Sequence, residues 1–142
     1  MLSRVCLINL KRERYLNMNE LKIDFDKLGG IIPVVIQDVS DGQVLMLGFM
    51  DSESYDLTVK TGFTHFWSRS KKRIWMKGES SGHTQSVREI RIDCDNDTLL
   101  IKVKQNGNAA CHKGYRSCFY RILDKGSARI DGEKIFNPED VY

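Results

Sequence analysis

Residues 93–118 read DCDNDTLLIKVKQNGNAACHKGYRSC, and the rest of the chain can be organised around them. This stretch holds three of the four cysteines, three aspartates within five residues and one of only three histidines. Cysteine, histidine and aspartate all bind metals, so their density here indicates metal chemistry. Between the two ligand groups, residues 98–105 form a run typical of a strand, and the NGN that follows predicts a turn.

The DCDND pentapeptide makes a geometric prediction. Residues 87–94, VREIRIDC, alternate well enough to be a strand. If the extended conformation continues through the pentapeptide, Asp93, Asp95 and Asp97 project from one side and Cys94 from the other. Neighbouring carboxylates repel one another unless a cation lies among them, and oxygen ligands suit magnesium, calcium or manganese. An acidic turn is the alternative, because Asp-Asn-Asp is also good turn chemistry.

The spacings of Cys94, Cys111 and Cys118 match no standard zinc-finger pattern. Three thiolates without a fourth protein ligand would leave zinc an open position for water, which is the catalytic arrangement. With His112 as a fourth ligand, the site would be closed and structural. Buried free thiols are the alternative, because free cysteine is among the most buried residue types.

The block 63–87, FTHFWSRSKKRIWMKGESSGHTQSV, interleaves aromatic, hydroxyl and cationic side chains. It predicts two short strands, at 64–68 and 73–76, followed by a glycine-containing loop. The tryptophans can stack a planar base while the cations hold phosphate and the loop hydroxyls donate hydrogen bonds. The alternative is that the tryptophans are core residues and the cations are solvated. The candidate binding residues of this block are Trp67, Arg69, Lys77, Ser81 and Thr84.

The patterns in residues 31–62 predict strands and a helix that carry no candidate site residues. Residues 31–39 and 43–50 read as two antiparallel strands joined by a turn. Pro33 indicates that the first strand lies at an edge or begins after that residue. A helix capped by Asp51 or Ser52 is predicted to close at Gly62.

The two ends of the chain add less. Residues 21–28 have apolar side chains at helical spacing and precede two glycines, which predicts a short helix. The tail after residue 123 reads as turn, short strand, turn and a polar end. We therefore expect one α+β domain over residues 18–142, with a mostly antiparallel sheet and a few short helices, and an extension of unknown role at residues 1–17.

Composition excludes several classes of protein. A hydrophobic fraction of 41% and a charged fraction of 29% are ordinary for a globular domain, and no window is long and apolar enough for a membrane span. The start is too charged for a secretory signal, so we expect a cytoplasmic protein whose cysteines are thiols or metal ligands. A net charge of +3 suits a phosphorylated ligand and is too weak to indicate nucleic acid.

Four motifs together resemble the phosphoribosyl-AMP cyclohydrolase family of histidine biosynthesis: WSRS at 67–70, WMKGESSGHTQ at 75–85, DCDND at 93–97 and ACHKGYRSCFYR at 110–121. The resemblance covers approximately residues 21–121. It implies a homodimer that hydrolyses the N1–C6 bond of the adenine ring in N1-(5-phosphoribosyl)-AMP by zinc-activated water, with magnesium as a second cofactor. His83 departs from the family pattern, which usually has Asn at this place.

The resemblance also implies roles for individual residues. Zinc would be bound by Cys94, Cys111 and Cys118, with Cys94 contributed by the other subunit of an intertwined dimer. Magnesium would be bound by the three aspartates of DCDND, and His112 would carry protons. Arg116 joins the candidate phosphate ligands. Two competing hypotheses are a nucleic-acid-binding module with structural zinc and a purine deaminase, although the H-x-E and P-C-x-x-C signature of the zinc deaminases is absent.

Overall fold

The computed structural model describes residues 21–142, which form eight strands and one α-helix. The α+β class and the mostly antiparallel pairing predicted from the sequence are confirmed. No helix in this part of the chain is long and apolar enough to cross a membrane. The elements are β1 (Ile32–Asp38), β2 (Val44–Met50), α1 (Ser52–Thr61), β3 (His65–Ser68), β4 (Arg73–Met76), β5 (Gln85–Ile92), β6 (Leu99–Gln105), β7 (Arg121–Asp124) and β8 (Ser127–Ile130).

The central sheet has the strand order β2-β1-β6-β5. β1 is antiparallel to β2 but parallel to β6, and β5 is antiparallel to β6. The strand pairs β3–β4 and β7–β8 form two separate antiparallel hairpins. The two central strands are thus far apart in the sequence, and β6 carries a group of candidate ligands beyond each of its ends.

The core lies on the face of the sheet where alternate residues of β1 and β6 are buried. Ile32, Val34 and Ile36 of β1 are fully buried, as are their counterparts on β6. Burying an aliphatic side chain of this size contributes about 1.5–3 kcal/mol. Phe66 of β3 completes this core and packs so closely on β2 that a Cβ added at Gly48 would lie 2.6 Å from its ring.

The helix α1 has the ends that its sequence predicts. The Asp51 carboxylate accepts a hydrogen bond from the Ser54 amide at 2.8 Å, and the Ser54 hydroxyl accepts one from the Asp51 amide at 2.9 Å. Gly62 ends the helix with a φ of 77°, in the left-handed region that glycine tolerates. This helix leads directly into β3 and so helps to position the block of candidate binding residues.

The predicted helix over residues 21–28 is wrong. Residues 26–29 form a turn, in which the Gly30 amide donates to the Phe25 carbonyl at 2.8 Å. Ile23 and Phe25 pack against the core, and the Asp24 amide donates to the Asn96 carbonyl at 2.7 Å. Contacts with distant parts of the chain therefore override the helical spacing. The predicted extension at residues 1–17 lies outside the described residues.

The predicted edge position of β1 is also wrong, since β1 has a neighbour on both sides. Strand β1 begins at Ile32 and includes Pro33, which pairs with Phe49 of β2. Pairing with β6 begins only at Val34, opposite Leu99. The strand thus tolerates proline because it has a single neighbour at that residue.

Candidate metal-binding and substrate site

The aspartate pentapeptide is a turn rather than a continuation of β5. Asn96 has a φ of 64°, and the Asp93 carboxylate accepts hydrogen bonds from the Asp97 and Thr98 amides at 3.1 and 3.2 Å. The predicted extended conformation is therefore wrong, and the stretch is a turn, whereas metal binding by its aspartates stays a prediction. The turn nevertheless brings Asp93, Asp95 and Asp97 together, with one carboxylate oxygen from each within 4.8 Å of the others.

A lysine from the segment before β1 lies against this cluster. The Lys27 ammonium is 3.2 Å from a carboxylate oxygen of Asp95 and 3.2 Å from one of Asp97. Its hydrogen bond lowers the pKa of Asp95, and both carboxylates raise the pKa of Lys27. Sequence reasoning missed Lys27, because no spacing signal links two residues that are 68 positions apart.

Cys111 and Cys118 form a pair of thiols at the opposite ends of one loop. Cys111 is buried and Cys118 is half-buried, and their side chains are close enough for Cys111 to affect the pKa of Cys118. The loop is anchored by the Cys118 amide, which donates to the Leu45 carbonyl at 2.7 Å. Burial and, to a smaller extent, the neighbouring Cys111 raise the pKa of Cys118 to about 11. A metal bound here would have to displace the thiol proton.

Lys77 is close to both thiols. Burial lowers the pKa of its ammonium group, while negative charge on Cys118 and Cys111 acts in the opposite direction. A cation near two thiols favours their ionised forms. A metal ion bound by Cys111 and Cys118 could therefore neutralise the thiolate charge in place of Lys77.

Cys94 is exposed in the aspartate turn and does not join the other two cysteines. Across residues 21–142, the three aspartates are the only Cys, His, Asp or Glu side chains that gather in a group of three within ligand distance. A single chain thus brings together two of the three predicted zinc ligands. The contribution of Cys94 from a second subunit stays a prediction.

Three of the predicted site residues, Lys77, Ser81 and His112, share one cavity of about 400 Å³. It lies between the β3–β4 hairpin, the loop after β4 and the loop that carries the two thiols. Trp75 forms part of its wall and also packs on Phe66, with ring centroids 5.2 Å apart. The core interpretation of this tryptophan is therefore confirmed in part, and its stacking on a base stays a prediction.

The other predicted binding residues lie elsewhere. Trp67 and Arg69 line a neighbouring cavity of about 520 Å³, where the Arg69 guanidinium lies 4.0 Å from the centre of the Phe49 ring. The Thr84 hydroxyl accepts a hydrogen bond from the Asn106 amide at 2.9 Å. Neither this threonine nor Arg69 lines the cavity that contains His112.

Arg116 forms ion pairs with two aspartates and does not line the cavity that contains His112. Its guanidinium is 2.9 Å from the Asp38 carboxylate and 3.1 Å from that of Asp41. The Arg116 guanidinium lowers the pKa of Asp41, and the carboxylates of Asp41 and Asp38 raise the pKa of Arg116. The intramolecular contacts give Arg116 a role in tying the thiol loop to the β1–β2 turn.

Several residues of the cavity were not predicted as site residues. Lys71 adds a second cation, and Arg73 forms an ion pair with Glu79 at 2.9 Å. Tyr142 comes from the tail, more than 20 residues beyond the last recognised motif. The mixture of cations and aromatic side chains in the block 63–87 was a signal for Lys71 and Arg73, whereas nothing in the sequence connected Tyr142 with them.

Comparisons with known proteins give concordant findings. The family model described as phosphoribosyl-AMP cyclohydrolase matches residues 46–120. A protein of that name from Geotalea daltonii is 56% identical over 122 residues, covering 86% of this chain and 97% of the relative. One from Trichlorobacter lovleyi is 54% identical over 86% of this chain and 98% of its own length. One from Nitratidesulfovibrio vulgaris is 51% identical over 84% and 94%, respectively.

Proposed function

Because the chain belongs to the phosphoribosyl-AMP cyclohydrolase family, we propose that it opens the adenine ring of N1-(5-phosphoribosyl)-AMP, a step of histidine biosynthesis. The observation that carries this proposal is that His112 lines one cavity with Lys77 and Ser81, and that Lys77 also lies close to the Cys111 and Cys118 thiols. Thiols, a proton carrier and a cation for phosphate are then available to one bound nucleotide.

The bond changes define what the site must do. Water loses one proton as its oxygen adds to C6; the C6–N1 bond then breaks as the second proton leaves that oxygen to form the carbonyl, and N1 gains a proton. The exocyclic nitrogen stays on C6, so the product is a carboxamide with an amidine on the former N1. His112 lines the cavity and is exposed, so it can take a proton from water and deliver one to N1.

Zinc suits the paired thiols, because thiolates are soft ligands and the two side chains already meet in a partly desolvated place. When bound by three protein ligands, zinc supplies a Lewis acid that lowers the pKa of water to about 7. Cys111 and Cys118 would hold it together with Cys94 of a second subunit. This sharing makes a homodimer part of the proposal.

Magnesium suits the three aspartates, because they present convergent carboxylate oxygens in an exposed turn. The Lys27 ammonium already lies at 3.2 Å from two of these side chains, which supports a preference of this place for positive charge. When bound, magnesium would supply charge for a phosphate group of the substrate.

The cations of the cavity support recognition of phosphate by the protein itself. Lys71 and Lys77 line it, whereas Arg73 is balanced by Glu79. Trp75 offers an aromatic wall to the purine. Trp67 and Arg69 would extend the binding surface into the neighbouring cavity. We place the enzyme in the cytoplasm, where its three described free cysteines would stay reduced.

The test is incubation of zinc-loaded protein with phosphoribosyl-AMP while the loss of the intact purine is followed by absorbance and mass spectrometry. We expect turnover, its loss on zinc chelation and its recovery when zinc is restored. Cys111→Ala should abolish both turnover and stoichiometric zinc binding. Full activity after verified zinc removal would contradict the zinc mechanism, and no turnover by the loaded protein would contradict the function.

A further inference from the structure

We propose that the segment 131–142 places Tyr142 in the wall of the substrate cavity, where Tyr142 contacts the bound nucleotide and is positioned by Phe136. This inference rests on the proposed function and assigns it a further binding residue. The segment lies beyond residues 46–120, which the family model matches. Three sets of contacts within the described chain support this role.

The segment is attached to the thiol loop through Gly114. The Ile135 amide donates to the Gly114 carbonyl at 2.7 Å, and the Phe136 amide lies 3.4 Å from the same oxygen. Gly114 has a φ of 95°, and a Cβ added there would lie 2.1 Å from the Phe136 carbonyl oxygen. The close approach therefore requires glycine and fixes the segment two residues from His112.

The second attachment joins the segment to the loop after β4. The Phe136 ring packs edge-on against the His83 ring, with centroids 4.9 Å apart. His83 is supported from another side by Gly107, where an added Cβ would lie 2.2 Å from the imidazole. The histidine that departs from the family pattern thus holds the segment through an aromatic contact.

A turn then directs the chain to the cavity. Residues Pro138–Asp140 form a single 3-10 turn, closed by the Tyr142 amide, which donates to the Pro138 carbonyl at 3.0 Å. The Tyr142 ring lies 6.4 Å from that of Phe136 and lines the same cavity as His112, Lys77 and Ser81. Because Tyr142 is 60% exposed, its aromatic face remains available to a ligand.

A phosphorylated purine nucleotide is the ligand that this arrangement suits. Its base has a face that an aromatic ring can stack on, and its phosphates suit the cations that line the same cavity. Tyr142 contributes to binding the nucleotide rather than to the bond changes at C6, because His112 and the thiol pair lie on a different loop. Its loss should therefore change KM much more than kcat.

The test is steady-state kinetics with phosphoribosyl-AMP on zinc-loaded wild-type protein and three single variants. We expect Tyr142→Ala to raise KM about tenfold, as for the loss of one aromatic stacking contact, with kcat within about twofold of wild type. Tyr142→Phe should restore most of the affinity. Leu123→Ala is the control, because Leu123 is 82% exposed on β7 and does not line the cavity.

The positioning role of Phe136 needs a second comparison. Phe136→Ala should raise KM less than Tyr142→Ala, and the double variant should be no worse than Tyr142→Ala alone, because Phe136 acts through Tyr142. Turnover by wild type combined with an unchanged KM in Tyr142→Ala would overturn this inference and leave the proposed function standing. Equal losses of kcat in both single variants would overturn it too.

Discussion

At the scale of single residues, Lys27 places an ammonium group against two of three clustered carboxylates. The contact offsets repulsion within the aspartate turn, and it also fills space that a divalent cation would need. An ion bound by Asp93, Asp95 and Asp97 would meet a like charge at short distance. A divalent metal ion that binds at this turn would therefore compete with the Lys27 ammonium group for the carboxylates.

We expect Lys27→Met to bind Mg²⁺ severalfold more tightly than wild type, because the variant removes the competing charge and keeps a side chain of similar length. Isothermal titration calorimetry measures this affinity without substrate. Lys22→Met is the matched control, since Lys22 is exposed in the same segment and forms no ion pair with these aspartates. Weaker binding by Lys27→Met would mean that Lys27 shapes the turn instead.

The ion pair between Arg73 and Glu79 predicts a pH dependence of stability. A hydrogen bond from Arg73 lowers the pKa of Glu79 below its usual value of 4.5. The pKa of Glu79 is lower in the folded state than in the unfolded state. The ion pair therefore adds to the free energy of unfolding above the unfolded-state pKa, and this contribution is lost as pH falls through the folded-state pKa. Glu79 is exposed, so the effect is at most about 1 kcal/mol.

Glu79→Gln should lower Tm by at most a few degrees at pH 7, and the difference from wild type should shrink as pH falls below 4.5 and through the lower pKa of the folded state. Thermal unfolding followed by circular dichroism from pH 3 to pH 8 measures this change. The amide is close in size to the carboxylate and can still accept the hydrogen bond from the Met76 amide. A difference that persists at pH 3 would contradict an origin in charge.

At the scale of elements, local signals predicted the strands and the helix, but not how the strands pair. Turn glycines and alternating apolar residues lie within each element, so β1, β2, α1 and the β3–β4 hairpin were all expected. The parallel pairing of β1 with β6 joins residues about 65 positions apart, such as Val34 and Leu99, and no local pattern encodes it.

The same distinction holds for the site. Residue types predicted candidate metal ligands at Cys111, Cys118 and the aspartates, because ligand chemistry is a property of the side chain itself. The neighbours that complete the geometry, Lys27 and Tyr142, come from distant segments and could not be read from spacing. Asn96 has a positive φ, and this single residue makes the aspartate stretch a turn where the sequence pattern predicted a strand.

Because β2 lies so close to Phe66, we expect even a methyl group added at Gly48 to lower the stability of the fold. Gly48→Ala should destabilise the fold by about 1–3 kcal/mol, because the new methyl group would lie 2.6 Å from the Phe66 ring. Urea denaturation measures the loss. In the Phe66→Leu background the same substitution should cost clearly less, since the smaller side chain leaves room for the methyl group. Additive losses would contradict this cause.

At the scale of the whole molecule, the two halves of the proposed zinc site lie apart within one chain. Cys94 is exposed in the aspartate turn, while Cys111 and Cys118 meet in their own loop. If two subunits complete the site, lesions in different halves can complement each other. In a mixed dimer of Cys94→Ala and Cys111→Ala chains, one site carries both lesions and the other carries none.

Each variant alone should be inactive. Subunit exchange in an equimolar mixture makes half of the dimers mixed, and each mixed dimer has one intact site of two, so about a quarter of wild-type activity should return. Sedimentation and mass spectrometry check the exchange. The control mixture pairs Cys111→Ala with Cys118→Ala, whose lesions lie in the same half and should not complement. Recovery in the control, or none in the test mixture after verified exchange, would contradict a shared site.

The parallel pairing of β1 with β6 also has a consequence for the time course of folding. During synthesis β1 and β2 can pair at once, whereas β6 emerges about 60 residues later and must close a long loop to reach its place beside β1. Until then, one edge of β1 has unsatisfied backbone groups, and such an edge invites pairing with other chains. We therefore expect insertion of β6 to be the slow, non-local step, and the thiol loop and the aspartate turn at its two ends to become ordered together when it is complete.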